Sequence, residues 1–311
     1  EKSTKRTKSA KKISRKSKFN VGLSGTPILN RPIEFFTFLN IISPKQFPSQ
    51  FKFGMRYCNG YNNGFGYVFK GSSRIDELRG LLQPLMIRRR KDEVLTELPE
   101  KVQRDIFVDM PGSYYQDYMA AENDLVHTLQ SLNANGPVSQ EYNDNHMWLL
   151  SKLNYLRHLV GLAKAEAAED IMQSFVEAGE KLVVFGHHHD VLDKMDDYLT
   201  KKGIIHVKVD GRTPNNERQG KVDQFQDNED CMVFLASTAM GMGVTLTAAS
   251  NALFVERQWT PGIEEQMEDR LHRIGQNRGV VAHYMQVENS IDSKMAKLVE
   301  EKRSVLLEIL D

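Results

Sequence analysis

Apolar residues recur with two different periods along this chain, and the changes of period divide it into three stretches. From residue 179 onward, short apolar runs (181–185, 205–209, 232–236, 252–255, 280–286) alternate with amphipathic stretches (190–202, 215–226, 262–272, and from Ile291 on). Short strands alternating with helices predict an α/β fold, a mostly parallel sheet covered by helices on both faces. Between 101 and 178, one alternating strand (102–108) leads into helical patterns at 114–132, 146–162 and 164–178, the last stopping at Gly179. The cluster Asn133-Ala-Asn-Gly-Pro137 separates the first two of these helices. The first 100 residues are less regular. An apolar strand at 19–23 precedes an aromatic and glycine-rich stretch from Phe47 to Gly71, expected to form a long ordered insertion, and then a helix at 75–85. Three regions follow: 1–100, 101–178 and 179–311. In open parallel sheets, ligands sit beyond the carboxyl ends of the strands, so chemistry is expected in the loops there.

Composition narrows the class. With 40% hydrophobic and 26% charged residues the chain resembles an ordinary folded protein. No run of about 18 apolar residues spans a membrane, and the first residues lack a secretory pattern. Cys58 and Cys231 stand alone, which excludes a disulfide framework and a thiolate zinc site. A cytoplasmic or nuclear location is expected. Lys+Arg and Asp+Glu both number 41, so the chain is not coated in positive charge. Yet Lys2, Lys5, Arg6, Lys8, Lys11, Lys12, Arg15, Lys16 and Lys18 face only Glu1 in the first 18 residues. A solvated face and a phosphate-contacting surface both fit that cluster.

Three constellations carry candidate chemistry. On the helix expected at 262–272, Gln266, Arg270 and Arg273 are spaced four and three apart and share a face. Beside Glu265 and Asp269 they fit either a salt-bridged surface or a guanidinium pair aimed at a triphosphate. Ser237-Thr-Ala-Met-Gly241-Met-Gly243 places hydroxyls and glycines after a buried strand, which suits close approach of backbone N–H groups to phosphate. His187-His188-His189 invites a metal, but adjacent side chains diverge and no second ligand cluster stands at metal spacing. No metal site is expected.

The ordered set of segments resembles a family. Gln266-Met-Glu-Asp-Arg-Leu-His-Arg-Ile-Gly-Gln276 is similar to motif VI of the Swi/Snf-type superfamily 2 DNA-dependent ATPases. Trp259-Thr-Pro-Gly262 resembles the segment that precedes it, and Ser237 to Leu246 resembles motif V. Val209-Asp-Gly-Arg-Thr-Pro214, Leu182 to His188 (motif IV) and Gly22-Leu-Ser-Gly-Thr-Pro27 (motif III) complete the order over nearly the whole chain. The His187-His188 pair, the Gly241 to Leu246 form of motif V and the stretch from Arg56 to Arg88 resemble the HARP-type annealing-helicase branch. The resemblance implies a RecA-like second lobe, behind the back part of a first RecA-like lobe with helical insertions. It implies that Arg270 and Arg273 are arginine fingers with Gln266 beside them, and that Gly241, Gly243 and Asp269 belong to the nucleotide side. It further implies that Ser237, Thr238, His187, His188, Gly211, Arg212 and Arg88 lie against DNA. ATP and Mg2+ are the implied cofactors, and double-stranded or forked DNA the implied partner, with no membrane.

One expected part is missing. Neither a G-x-x-x-x-G-K-[ST] loop nor an acidic Walker B box occurs in the 311 residues, and the family's order places both before motif III. The expectation is a C-terminal half that needs an N-terminal half carrying Walker A and Walker B, and that hydrolyses ATP poorly alone. The rival expectations are a non-catalytic DNA-binding scaffold and an RNA or single-strand helicase.

Overall fold

The computed structural model describes residues 4–64, 66–135, 141–238 and 243–310. They form two compact units: residues 1–90 with 260–262 and 299–311, and residues 91–259 with 263–298.

In the first unit, helices α1 (Lys5–Ser14), α2 (Pro32–Ile42) and α3 (Gln50–Tyr57) precede a two-residue hairpin, β1 (Tyr61–Asn62) with β2 (Tyr67–Val68). Helix α4 (Ile75–Leu82) follows. Pro32 starts α2, where its fixed φ suits the first helical turn. Phe35, Phe36 and Leu39 of α2 then pack with Phe47, Phe53, Tyr57, Leu78 and Leu82. The aromatic stretch therefore supplies a core: Phe53 and Tyr57 are buried, and Arg56 and Tyr57 both bond Glu77 of α4. The strand expected at 19–23 is absent. Phe19, Val21 and Leu23 are 79%, 86% and 94% exposed, and an extended segment without a neighbouring strand has nothing to complete its ladder.

The second unit holds α5 (Lys91–Val94), β3 (Lys101–Phe107), α6 (Gly112–Asn135), α7 (Glu141–Glu177), β4 (Leu182–Gly186), α8 (His189–Lys201) and β5 (His206–Val209). After them come α9 (Asn215–Asp227), β6 (Val233–Ser237), β7 (Asn251–Phe254), α10 (Pro261–Glu268), β8 (Val280–Gln286) and the first turns of α11 (Ile291–Leu310). The six strands make one parallel sheet in the order β3-β8-β7-β4-β6-β5. β4 and β6 are buried along their whole length, as their unbroken apolar runs require. Alternate residues feed two cores. Val183, Phe185, Phe234 and Phe254 pack with Val222 and Phe225 of α9, while Leu182, Val184, Leu235 and Leu253 pack with Ala165, Ala168 and Met172 of α7 and with α8.

In this unit three elements differ from expectation. β3 belongs to the sheet, in register with β8 from Lys101↔Val280 to Phe107↔Gln286, although the pattern set it with the helical middle. The segments expected as helices at 146–162 and 164–178 are one helix, α7, of 37 residues. Finally α10 stops at Glu268, four residues short of expectation. No helix among the described residues is long and apolar enough to cross a membrane.

Candidate functional site at the carboxyl edge of the sheet

Because β4, β5, β6 and β7 run parallel, their carboxyl ends open on one edge. His187 and His188 follow β4, Asp210 follows β5, Thr238 follows β6, and Glu256 lies two residues past β7. Glu256 organises this edge. Only 1% exposed, its Oε2 accepts from the backbone N–H groups of His187 (2.6 Å) and His188 (2.9 Å), and its Oε1 pairs with His188 Nδ1 (2.6 Å). Burial works to raise the Glu256 carboxyl, but the bond and charge of His188 and the two backbone donors overcome it and hold the pKa down to about 2.

Around it stand groups from α7. Arg157, 3% exposed, donates Nη2 to the Arg257 carbonyl (2.6 Å), while its Nε has no partner among the described residues. His158 pairs with Asp190, and its ring lies 4.8 Å from that of His188. Desolvation first, and the Arg157 charge second, bring the His187 ring down to about 4, so it is neutral at pH 7 and its Nδ1 lies 3.2 Å from Thr238 Oγ1. Ser237, 3% exposed at the end of β6, has an Oγ without a partner among the described residues. Among those residues no group of three or more His, Cys, Asp or Glu is arranged to hold a metal.

The arginine pair sits in turns, not on a helix face. After Glu268 the chain tightens, with Arg270 N bonding Met267 O and Leu271 N bonding Glu268 O. The Arg270 carbonyl is taken by Leu246 N at 2.8 Å, so it cannot continue a helical ladder. Gly275, at φ +100°, turns the chain back, and Gln276 fastens it. Its amide nitrogen donates to the carbonyls of Thr247 (3.2 Å), Ala249 (2.8 Å) and Leu271 (3.4 Å), and its oxygen accepts from Asn277 N and Arg278 N. Arg273 Nη1 bonds Val244 O (3.2 Å) and Thr245 Oγ1 (3.0 Å), which ties it to the loop after β6. Arg270 is half-buried, and its guanidinium makes no hydrogen bond or ion pair among the described residues. Burial lowers its pKa and the neighbouring Arg273 charge lowers it further, only partly offset by the charge of Asp269.

The remaining candidates scatter. Asp269 is held by Lys91 (2.8 Å) and Lys101 (3.4 Å). Arg212 is fully engaged, bidentate on Asp193 (2.9 and 2.6 Å) and bonded to Asp210 (3.0 Å). Gly211 is exposed beside it, Gln266 is half-buried, and Arg88 lies exposed in the first unit. Gly243, at φ +117°, needs glycine; Gly241 lies outside the described residues. Glu256, Arg157 and Gln276 were not singled out as site residues from sequence. A charged residue directly after the apolar run ending at Val255 was the available signal for Glu256, whereas nothing in the sequence marks Arg157 as buried.

The model of the SNF2-related domain matches residues 1–160, and that of the helicase conserved C-terminal domain matches residues 163–275. The chain belongs to the SNF2-related family. Among relatives of this SNF2 chain, the SWI/SNF-related matrix-associated actin-dependent regulator of chromatin subfamily A-like protein 1 of Xenopus tropicalis is 36% identical over 306 residues, covering 97% of this chain and 31% of the relative. The DNA annealing helicase and endonuclease ZRANB3 of Mus musculus is 33% identical over 289 residues, covering 91% and 26%. The chain thus spans about a third or less of these two curated relatives. The name of the second agrees with the annealing-helicase branch that the motifs of this chain resemble. Of solved structures, the Sulfolobus solfataricus SWI2/SNF2 ATPase core in complex with dsDNA superposes with a TM-score of 0.57 at 22% identity, over 98% of this chain and 65% of that one. The C-terminal part of the Fun30 ATPase domain gives 0.55 at 16%, over 69% and 98%. Both share the RecA-like SNF2 fold.

Proposed function

We propose that this chain is the C-terminal part of an ATP-dependent translocase on double-stranded DNA, of the fork-remodelling or strand-annealing kind, and that Arg270 and Arg273 are its arginine fingers. The observation that carries this is the Arg270 guanidinium: half-desolvated, beside a second arginine, and with no hydrogen bond or ion pair among the described residues. Two guanidiniums that disfavour each other's charge make a site that an anion stabilises, and the planar fork matches the oxygens of a transferring phosphoryl group. Arg273, moored to the loop after β6, would link that anion to the loop that meets DNA. Gln266 stands one turn before, on α10, as the third member.

The fingers need a phosphate-binding surface to act against. The 311 residues contain no Walker A or Walker B sequence, so the β- and γ-phosphates and Mg2+ would be held by residues outside these 311, on the same polypeptide or on another chain. Alone, the 311 residues are expected to turn over ATP negligibly. Asp269 serves this site indirectly, since Lys91 and Lys101 already balance it. On the DNA side, His187, His188, Ser237 and Thr238 at the sheet edge, with Arg88, are the proposed phosphate contacts. Arg212 contributes less, because a phosphate would compete with two carboxylates already bonded to it. Contacts of this kind are sequence-independent and weaken with salt. A nuclear or cytoplasmic location accompanies the role.

The test is DNA-stimulated ATP hydrolysis by the chain joined to, or mixed with, a Walker-bearing half. Arg273→Ala and Arg270→Ala should each lower turnover on the order of 10³-fold, as loss of an arginine finger does, while duplex binding stays within about twofold of wild type. Full turnover in both variants would remove the finger assignment.

A further inference from the structure

Helix α1 carries an unneutralised charge stripe that the ATPase site does not use. Thr4 caps the helix through a bond from Thr7 N, and the side facing the rest of the unit is formed by Thr7, Lys11 and Ser14, with Lys11 Nζ over the Phe36 ring of α2 at 5.4 Å. Along the adjoining face Lys5, Lys8 and Lys12, with Arg15 at the C-cap, follow one another at helical spacing, all exposed. None of them makes an ion pair among the described residues.

A helix that is merely solvated mixes signs along its face, because i,i+4 pairs of opposite charge stabilise it and like charges oppose it. Here no acidic residue occurs from Lys2 through Asn30, and the first turn carries Lys5, Arg6 and Lys8 where the helix dipole disfavours cations. Nine of the chain's 41 basic residues fall in 18 positions of a molecule with no net charge. Among the described residues the fold supplies no carboxylate to offset that repulsion, so an external polyanion would be favoured there.

We propose that α1 is a second nucleic-acid contact surface, on which Lys5, Lys8, Lys12 and Arg15 bind successive phosphates of one strand of a DNA duplex, independently of base sequence and of ATP. At 1.5 Å per residue the stripe is about 15 Å long. Phosphates of one strand advance about 3.4 Å each along the duplex axis while winding around it, so the long lysine and arginine arms carry the four charges onto neighbouring phosphates. The choice of DNA as the polyanion rests on the motor reading above; the existence of the site does not.

The experiment measures binding of a fluorescent 30-bp duplex to the full chain between roughly 50 and 200 mM salt, a range in which phosphate contacts dominate the salt response. Replacing Lys5, Lys8, Lys12 and Arg15 together by Gln should lower the slope of log K against log [salt] by about 3 to 4, at about 0.9 per lost contact, and weaken binding more than tenfold at the low-salt end. A charge-preserving variant (Lys5→Arg, Lys8→Arg, Lys12→Arg) should retain the wild-type slope, which separates lost charge from a disturbed helix. An unchanged slope in the Gln variant overturns the proposal. So does a poly-glutamate peptide that binds through α1 while the duplex does not, which would make the partner an acidic protein. Arg273→Ala tests the motor without touching this surface, so failure of the finger assignment and failure of this site are read separately.

Discussion

The side-chain amide of Gln276, 5% exposed, fastens two loops at once: its nitrogen takes the carbonyls of Thr247 and Ala249, and its oxygen the N–H groups of Asn277 and Arg278. Gln276→Ala leaves several buried backbone groups unpaired and should cost roughly 2–3 kcal/mol in urea unfolding. It should also reduce hydrolysis in the assembled motor, since the turn holding Arg270 and Arg273 loosens with it. A second residue gives a pH signature. The Glu256 carboxyl is held at about 2, below its ordinary 4.5, so its contribution is complete above pH 4.5 and is lost as pH falls from there towards 2. Glu256→Gln should therefore destabilise the chain at pH 7 and flatten the acid limb of its stability profile, as followed by thermal melting at stepped pH. The arginines were legible as a pair from spacing alone. Their setting was not, because the helix that spacing implied ends when Leu246 N claims the Arg270 carbonyl from a loop 24 positions earlier. Local pattern carries no trace of such a contact.

At the scale of elements, the strands of the second unit stood out because a strand buried on both faces must be apolar throughout, and β4 and β6 are. Helix α7 was harder. The pattern divides at Ala163, yet the helix runs on through it, and Lys164 just beyond finds a buried acid: its Nζ bonds Asp292 at 2.6 Å and the Met285 carbonyl at 3.2 Å, with both side chains nearly inaccessible. Lys164→Met strands a buried carboxylate and should cost about 3–5 kcal/mol in denaturant unfolding, whereas adding Asp292→Leu should recover more than half of that. The segment 19–23 shows the opposite failure. Its alternation is that of a strand, but pairing is a property of two segments, and among the described residues it has no partner.

At the scale of the molecule, ordered motifs identified the family where composition could not, because a net charge of zero conceals both the α1 stripe and the buried pairs of the second unit. The kind of polymer that drives the motor separates the remaining functional alternatives. In the assembled protein, duplex or forked DNA should stimulate hydrolysis at least tenfold more than single-stranded RNA, measured by phosphate release at matched nucleotide concentration. Equal stimulation by RNA would point to a single-strand helicase, and DNA binding with no hydrolysis in any assembly to a scaffold.

The closeness of Gly161 to Glu256 bears on which sequences this fold can inherit. A Cβ at 161 would stand 2.9 Å from Glu256 Oε1 and 3.1 Å from Val191 Cγ2, and the carboxylate cannot swing aside without releasing the His187 and His188 backbone. Alanine, ordinarily about 1 kcal/mol better than glycine inside a helix, is thus barred from α7 by a residue 95 positions away. The two sites form a lineage constraint, in which position 161 gains a side chain with least strain in a background where position 256 has already given up its glutamate and Val191 can yield.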